Sequence, residues 1–134
     1  MVCILCGEET RVTNSRPGKR GASVWRRREC PGCLTVFSSR EKPDLSLSIR
    51  FKKENEPLRP FSEDKLFISV IECLTHRKEP LRDARELTIT IVGKLLPIHS
   101  SIVTSTEVAS AAHQVLKKFD KAAATYYAAH HQIK

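Results

Sequence analysis

The strictest periodicity in the chain is an alternation of apolar and polar residues at Leu45-Ser46-Leu47-Ser48-Ile49-Arg50-Phe51-Lys52. Successive side chains of an extended backbone point to opposite faces, so the run predicts a strand with Leu45, Leu47, Ile49 and Phe51 on one side. Glu54-Asn55-Glu56-Pro57 then reads as a turn, and Asn55 is a residue that tolerates the left-handed conformation. Beyond the turn the period lengthens to that of helices. Ser62 can cap a first helix, Glu63 and Asp64 suit its positive end, and Phe61 can staple to Leu66. Leu66, Phe67, Val70, Ile71 and Leu74 form its buried stripe, and Cys73 beside them reads as a core residue. A second helix is predicted after Pro80, through Ala84, Leu87, Ile91 and Leu95, stopping at Pro97. Its β-branched run from Thr88 to Val92 could also form a strand. Thr104 and Glu107 have capping-box spacing ahead of a third helix, with Val103 placed to staple to Val108. Asp120 restarts the chain as a fourth, carrying Ala123, Tyr126 and Tyr127.

Before Glu41-Lys42-Pro43-Asp44 the character is different. Four of the five glycines (Gly7, Gly18, Gly21 and Gly32) lie there, as do two cysteine pairs, Cys3-Ile-Leu-Cys6 and Cys30-Pro-Gly-Cys33. Each C-x-x-C turn presents two thiolates to one side, and two such turns close a tetrahedral site around a divalent ion, Zn2+ above all. Four protein ligands leave no position for water, so the metal's expected role is structural. The alternative is a disulfide framework, which needs an oxidising compartment. The start of the chain has neither the basic beginning nor the apolar core of a secretory signal, and a cytoplasmic location is expected. Nor does any apolar stretch have the length to span a bilayer. The fold class predicted is α+β: a small β zinc ribbon over residues 1–42, then a mostly helical domain with a short sheet over 43–134.

Charge sharpens the picture. Up to Lys53 there are 12 Lys or Arg against 5 Asp or Glu, and from Glu54 onward 11 against 10, so nearly all of the net charge of +8 belongs to the first segment. The run Trp25-Arg26-Arg27-Arg28-Glu29 leads directly into the second cysteine pair. On a strand, alternation sends Arg26 and Arg28 to one face and Trp25 and Arg27 to the other, with Arg16, Lys19 and Arg20 expected on neighbouring loops. Guanidiniums grip phosphate bidentately and can read guanine in the major groove. Double-stranded DNA is thus the expected partner, through Arg16, Lys19, Arg20, Arg26, Arg27 and Arg28. Arg26 and Arg28 are expected to share the groove-facing surface with Arg16, and Arg27 to matter less. A hairpin whose charges only aid solubility and balance the thiolates is the plainer alternative. The five histidines are scattered, no Walker or dinucleotide motif occurs, and no catalytic constellation is apparent. A regulator is expected, and not an enzyme.

Taken in order, the first cysteine pair, Asn14-Ser15-Arg16, Arg26-Arg27-Arg28-Glu29-Cys30, Phe37-Ser38-Ser39-Arg40-Glu41, Lys52-Lys53 and Phe61-Ser62-Glu63-Asp64-Lys65-Leu66 resemble the bacterial repressors of ribonucleotide reductase genes. The resemblance covers nearly the whole chain and implies a zinc ribbon joined to an ATP-cone. It implies zinc at Cys3, Cys6, Cys30 and Cys33, operator DNA on the arginine-rich ribbon, and a homo-oligomer set by ATP or dATP on the cone. Nucleotide phosphates would meet Lys52, Lys53 and Lys65, where the residues alone suggest surface lysines. The chain departs from the family in having Lys52-Lys53-Glu54-Asn55 for a Lys-Arg-Asp-Gly turn, and Ala124-Thr125-Tyr126-Tyr127 for a Tyr-Ile-Arg-Phe segment. Two other functions remain open at this point. One is an RNA-binding or ribosome-associated ribbon, and the other a subunit acting directly on the reductase.

Overall fold

Residues 1–18, 23–98, 100–131 and 133 are described by a computed structural model, in which the chain divides into two units, Met1–Pro43 and Asp44–Lys134. The first unit is a three-stranded antiparallel sheet, β1 (Arg11–Pro17), β2 (Val24–Glu29) and β3 (Val36–Glu41), with β2 in the middle. Its first ten residues fold back on themselves through a bridge between Val2 and Glu9. Arg11 lies opposite Glu29 and Asn14 opposite Arg27, so β1 spends three residues where β2 spends two. This bulge turns Arg11 to the same face as Asn14 and Arg16, which unbroken alternation would forbid for Arg11.

The second unit has a short sheet, in the order β5 (Arg59–Pro60), β4 (Arg50–Lys52), β6 (Ile102–Thr104), and helices that bury its core. The alternating run does not form one long strand. Its first half, Leu45–Ser48, is a single helical turn, α1, and only Arg50–Lys52 is extended. Polar residues decide this. The Asp44 carboxylate accepts from the Ser46 amide at 2.9 Å and from its hydroxyl at 2.6 Å, and the Ser48 hydroxyl donates to the Asp44 carbonyl at 3.2 Å. Such local bonds offer the backbone an alternative to a ladder. Leu45 and Ile49, one helical turn apart, are still both buried, while Leu47 is 80% exposed where a strand would have buried it.

The helices follow the sequence pattern closely. In α2 (Glu63–Glu72) the Ser62 hydroxyl accepts from the Lys65 amide at 3.2 Å, and Phe61 and Leu66 are both buried. Pro80 opens α3 (Pro80–Leu95), which passes into a 3-10 turn at Leu96–Ile98. Its β-branched residues are helical because Ala84, Leu87, Thr88, Ile91, Val92 and Leu95 form one buried stripe at helical spacing, and burial outweighs the small propensity penalty. α4 (Ser105–Phe119) starts with a complete capping box: the Glu107 amide donates to the Thr104 hydroxyl at 3.2 Å, and the Thr104 amide to the Glu107 carboxylate at 2.7 Å. α5 (Lys121–His130) is capped by Asp120, whose carboxylate takes the Ala122 and Ala123 amides. Tyr127 and Ala123 are buried and Tyr126 is exposed. Cys73 is buried, and its thiol is pushed up to about 11, first by burial and then by Glu72. It is a core thiol, not a nucleophile.

Candidate metal centre and nucleic-acid interface

Two knuckles of matching construction bring the four cysteines together. In the first, the Gly7 amide donates to the Cys3 carbonyl at 3.1 Å and the Cys3 amide to the Glu8 carbonyl at 2.7 Å. In the second, the Leu34 amide donates to the Cys30 carbonyl at 3.0 Å and the Cys30 amide to the Thr35 carbonyl at 2.9 Å. Gly7 and Leu34, each just after the second cysteine of its pair, both have left-handed backbone, with φ of 78° and 60°. The first cysteine of each pair is buried and the second exposed. All four sulfurs lie within 4.8 Å of one another, with Cys3 and Cys33 3.5 Å apart and Cys6 and Cys30 3.4 Å apart. A tetrahedron of thiolates about 2.3 Å from a zinc ion has edges of about 3.8 Å. The cluster has that size, and the cysteines are free thiols, not disulfides.

The two exposed thiols, Cys33 and Cys6, are shifted in opposite directions. The Thr35 hydroxyl, 3.1 Å from Cys33 Sγ, and then the Thr35 amide hold the Cys33 thiol well below its ordinary range. Cys6 is drawn down by the Glu8 amide but pushed up by its Cys30, Cys33 and Cys3 neighbours, and ends well above that range. A divalent ion among the four sulfurs makes every thiolate favourable. The residues present therefore fit a structural tetrathiolate site.

The basic run forms β2, the middle strand. Residues directly opposite on antiparallel strands share a face. One face carries the row Arg16, Trp25, Arg40, then Asn14, Arg27, Ser38, then Arg11, Glu29, Val36. The other carries Ser15, Arg26, Ser39 and Val12, Arg28, Phe37. Arg16 is thus a strand residue on the Arg27 face. It does not share a surface with Arg26 and Arg28, because the pairing opposite Trp25 fixes its side. Arg26 is paired with Glu41. Arg28 donates from Nε to the Ser39 hydroxyl at 3.0 Å, and Nη1 lies 3.5 Å from the Thr10 hydroxyl. Lys19 and Arg20 lie outside the described residues. Sequence reasoning passed over Arg40, although it stands in the Phe37-Ser38-Ser39-Arg40-Glu41 motif. What it lacked was the register that places Arg40 across from Trp25.

The three lysines are separated by the small sheet. Lys52 and Lys53 stand where β4 ends, and the chain then reverses through Asn55, which has φ of 60°. The Glu56 carboxylate folds back onto them: Lys53 Nζ pairs with it at 2.7 Å, Arg59 also pairs with it, and Lys52 Nζ donates to the Glu56 carbonyl at 2.9 Å. β5 runs antiparallel to β4, with Pro60 opposite Arg50, so α2 and Lys65 follow the end of the sheet away from Lys52. β6 runs parallel to β4 with Thr104 opposite Lys52, which makes the neighbouring helix start that of α4. That start is already occupied by Glu107, whose carboxyl is held below its ordinary value first by the Thr104 amide and then by the Thr104 hydroxyl.

A four-cysteine ribbon with a basic sheet, followed by a helical unit built on a three-stranded sheet, defines a small two-unit protein of the zinc-ribbon class. Among the described residues no helix is long and apolar enough to cross a membrane. The sequence profile of the family "Transcriptional repressor NrdR-like, N-terminal domain" matches residues 1–41. The chain is 35% identical over 130 residues to the transcriptional repressor NrdR of Phenylobacterium zucineum, spanning 96% of this chain and 83% of that protein. To the proteins of the same name in Acetivibrio thermocellus and Bacillus cereus it is 32% identical, over 132 and 129 residues, covering 96% of this chain and 85% and 84% of theirs. The chain belongs to the NrdR family of transcriptional repressors. Its role is regulatory, not enzymatic.

Proposed function

We propose that the chain is a nucleotide-responsive repressor that binds double-stranded DNA through its ribbon, with the genes of ribonucleotide reductase as its targets. The observation that carries the reading is the arginine-rich sheet built directly on the cysteine knuckles. Cys3, Cys6, Cys30 and Cys33 would hold one Zn2+, which supplies a structural crosslink with no open ligand position. The knuckles then fix the angle at which β2 and its arginines are presented. Residues 43–134 act as an ATP-cone: ATP or dATP biases how copies of the chain associate, and association decides how many ribbons engage one stretch of DNA together. Lys52 and Lys53, together at the end of β4, are the phosphate-binding candidates. Glu56 competes with phosphate for Lys53.

Calorimetry with ATP and with dATP, followed by light scattering of each complex, tests the cone. Lys52→Gln or Lys53→Gln should weaken nucleotide binding while leaving the helical circular dichroism intact. Unchanged affinity in both variants would remove nucleotide sensing from the reading. For the ribbon, one assay should compare duplex DNA with RNA of the same sequence on metal-loaded protein. Preference for RNA would replace the repressor reading with an RNA-binding one.

A further inference from the structure

We infer that the duplex-contacting surface of the ribbon is the sheet face that carries Arg16, Arg27 and Arg40 around Trp25, and that Arg26 and Arg28, on the opposite face, hold the sheet and not the nucleic acid. This rests on the DNA-binding reading above. The two faces differ in how their cations are committed. Arg16, Arg27 and Arg40 are exposed, and none makes an ion pair or side-chain hydrogen bond with another described residue. Arg26 and Arg28 are half-buried, and their guanidiniums are spent on Glu41, Ser39 and Thr10. A guanidinium paired with a carboxylate must break that pair before it can take a phosphate, whereas an unpaired one gains the whole interaction.

The bulge in β1 adds a second difference. Glu29 is the one acidic residue in the rows of the Arg27 face, and it would repel phosphate. By turning Arg11 to the same side, the bulge brings Arg11 Nη2 to 2.9 Å from Glu29 Oε1 and cancels that charge. The face is left with three unopposed cations and the polar groups of Asn14 and Ser38. Arg16 and Arg40 sit on the two outer strands, about 10 Å apart by the usual strand spacing. A major groove is about 12 Å wide. Cations at that separation can address phosphates on both of its walls, with Arg27 between them over the base edges.

The test uses the full, metal-loaded chain and a random-sequence duplex, because phosphate contacts are independent of sequence. Affinity is measured over a range of salt for Arg16→Gln, Arg27→Gln, Arg40→Gln, their triple combination, the Arg26→Gln/Arg28→Gln pair, and Glu41→Gln. Metal content and circular dichroism are recorded for each. Each variant on the Arg27 face should weaken binding severalfold and lower the slope of log affinity against log salt by about one, and the triple variant by about three. Arg26→Gln/Arg28→Gln should keep the parent's slope. So should Glu41→Gln, which frees Arg26 without disturbing the fold, because on this inference a freed Arg26 still faces away from the duplex. A parent slope in the triple variant, or a changed slope in Glu41→Gln, overturns the assignment of the face. A parent chain without salt-dependent duplex binding instead overturns the DNA reading itself, and the inference with it.

Discussion

Leu34 carries a side chain at a backbone position where its counterpart in the other knuckle is Gly7. Both are left-handed, and a residue with a Cβ pays about 1–2 kcal/mol there. The Leu34 side chain is 73% exposed and contributes little burial to offset this. Leu34→Gly should therefore stabilise the ribbon by about 0.5–1 kcal/mol, the remainder being lost to the freer unfolded chain. A chelator titration reads it directly, since the variant should need more chelator to lose its strand signal. Thr88 presents a second local conflict. It is buried in α3, and its hydroxyl has no hydrogen-bond partner among the described residues. An orphaned buried hydroxyl costs about 1–3 kcal/mol, so Thr88→Val should raise the thermal midpoint of the helical unit. A lowered midpoint would mean that the hydroxyl has a partner after all.

At the scale of elements, the helix starts are where acid should act. Asp120 caps α5, its carboxylate lies 2.9 Å from His76 Nε2, and it is held below its ordinary value of 3.8, first by His76 and then by the Ala123 amide. Glu107, below its ordinary value of 4.5, does the same work in the capping box of α4. A carboxylate whose folded value is depressed stabilises the fold fully above its unfolded value and loses that contribution as pH falls through the folded one. Helical stability should thus begin to fall below about pH 4.5 and continue falling below pH 3.8. Asp120→Asn keeps a good cap without the titrating charge, so its melting temperature should depend less on pH across the lower part of that window. These caps were legible in the sequence because Ser62, Thr104 and Asp120 act within three residues of themselves. The alternating run was not. Its serines look neutral in a pattern of apolar and polar positions, but they and Asp44 form the hydrogen bonds that wind α1. The face of Arg16 was equally hidden, since it depends on a pairing partner nine residues away and on no local signal.

For the whole molecule, the metal is expected to hold only one of the two units. The described residues of Met1–Pro43 bury little beyond Cys3 and Cys30, whereas Asp44–Lys134 has a continuous apolar core from Leu45 to Tyr127. Chelation should therefore abolish the strand contribution to circular dichroism and leave the helical signal, and re-addition of one equivalent of zinc should restore it. Loss of both signals together would show that the helical unit leans on the metal. What the sequence conveyed at this scale was composition: cysteines, glycines and arginines early, helical stripes late. It could not convey that β4 lies between β5 and β6, because the residues that meet, Arg50 and Ile102 among them, are separated along the chain by β5, α2, α3 and the 3-10 turn.

That parallel pairing sets an order of assembly. β4 can close its sheet with β5 across a short turn, but β6 must wait until both intervening helices have been synthesised and packed, and contacts so distant along the chain are slow to form. The ribbon needs only its own residues and one metal ion. On the ribosome every residue of the ribbon is made before the helical unit is complete, so its sheet, unlike the one that β6 closes, does not wait for the rest of the chain.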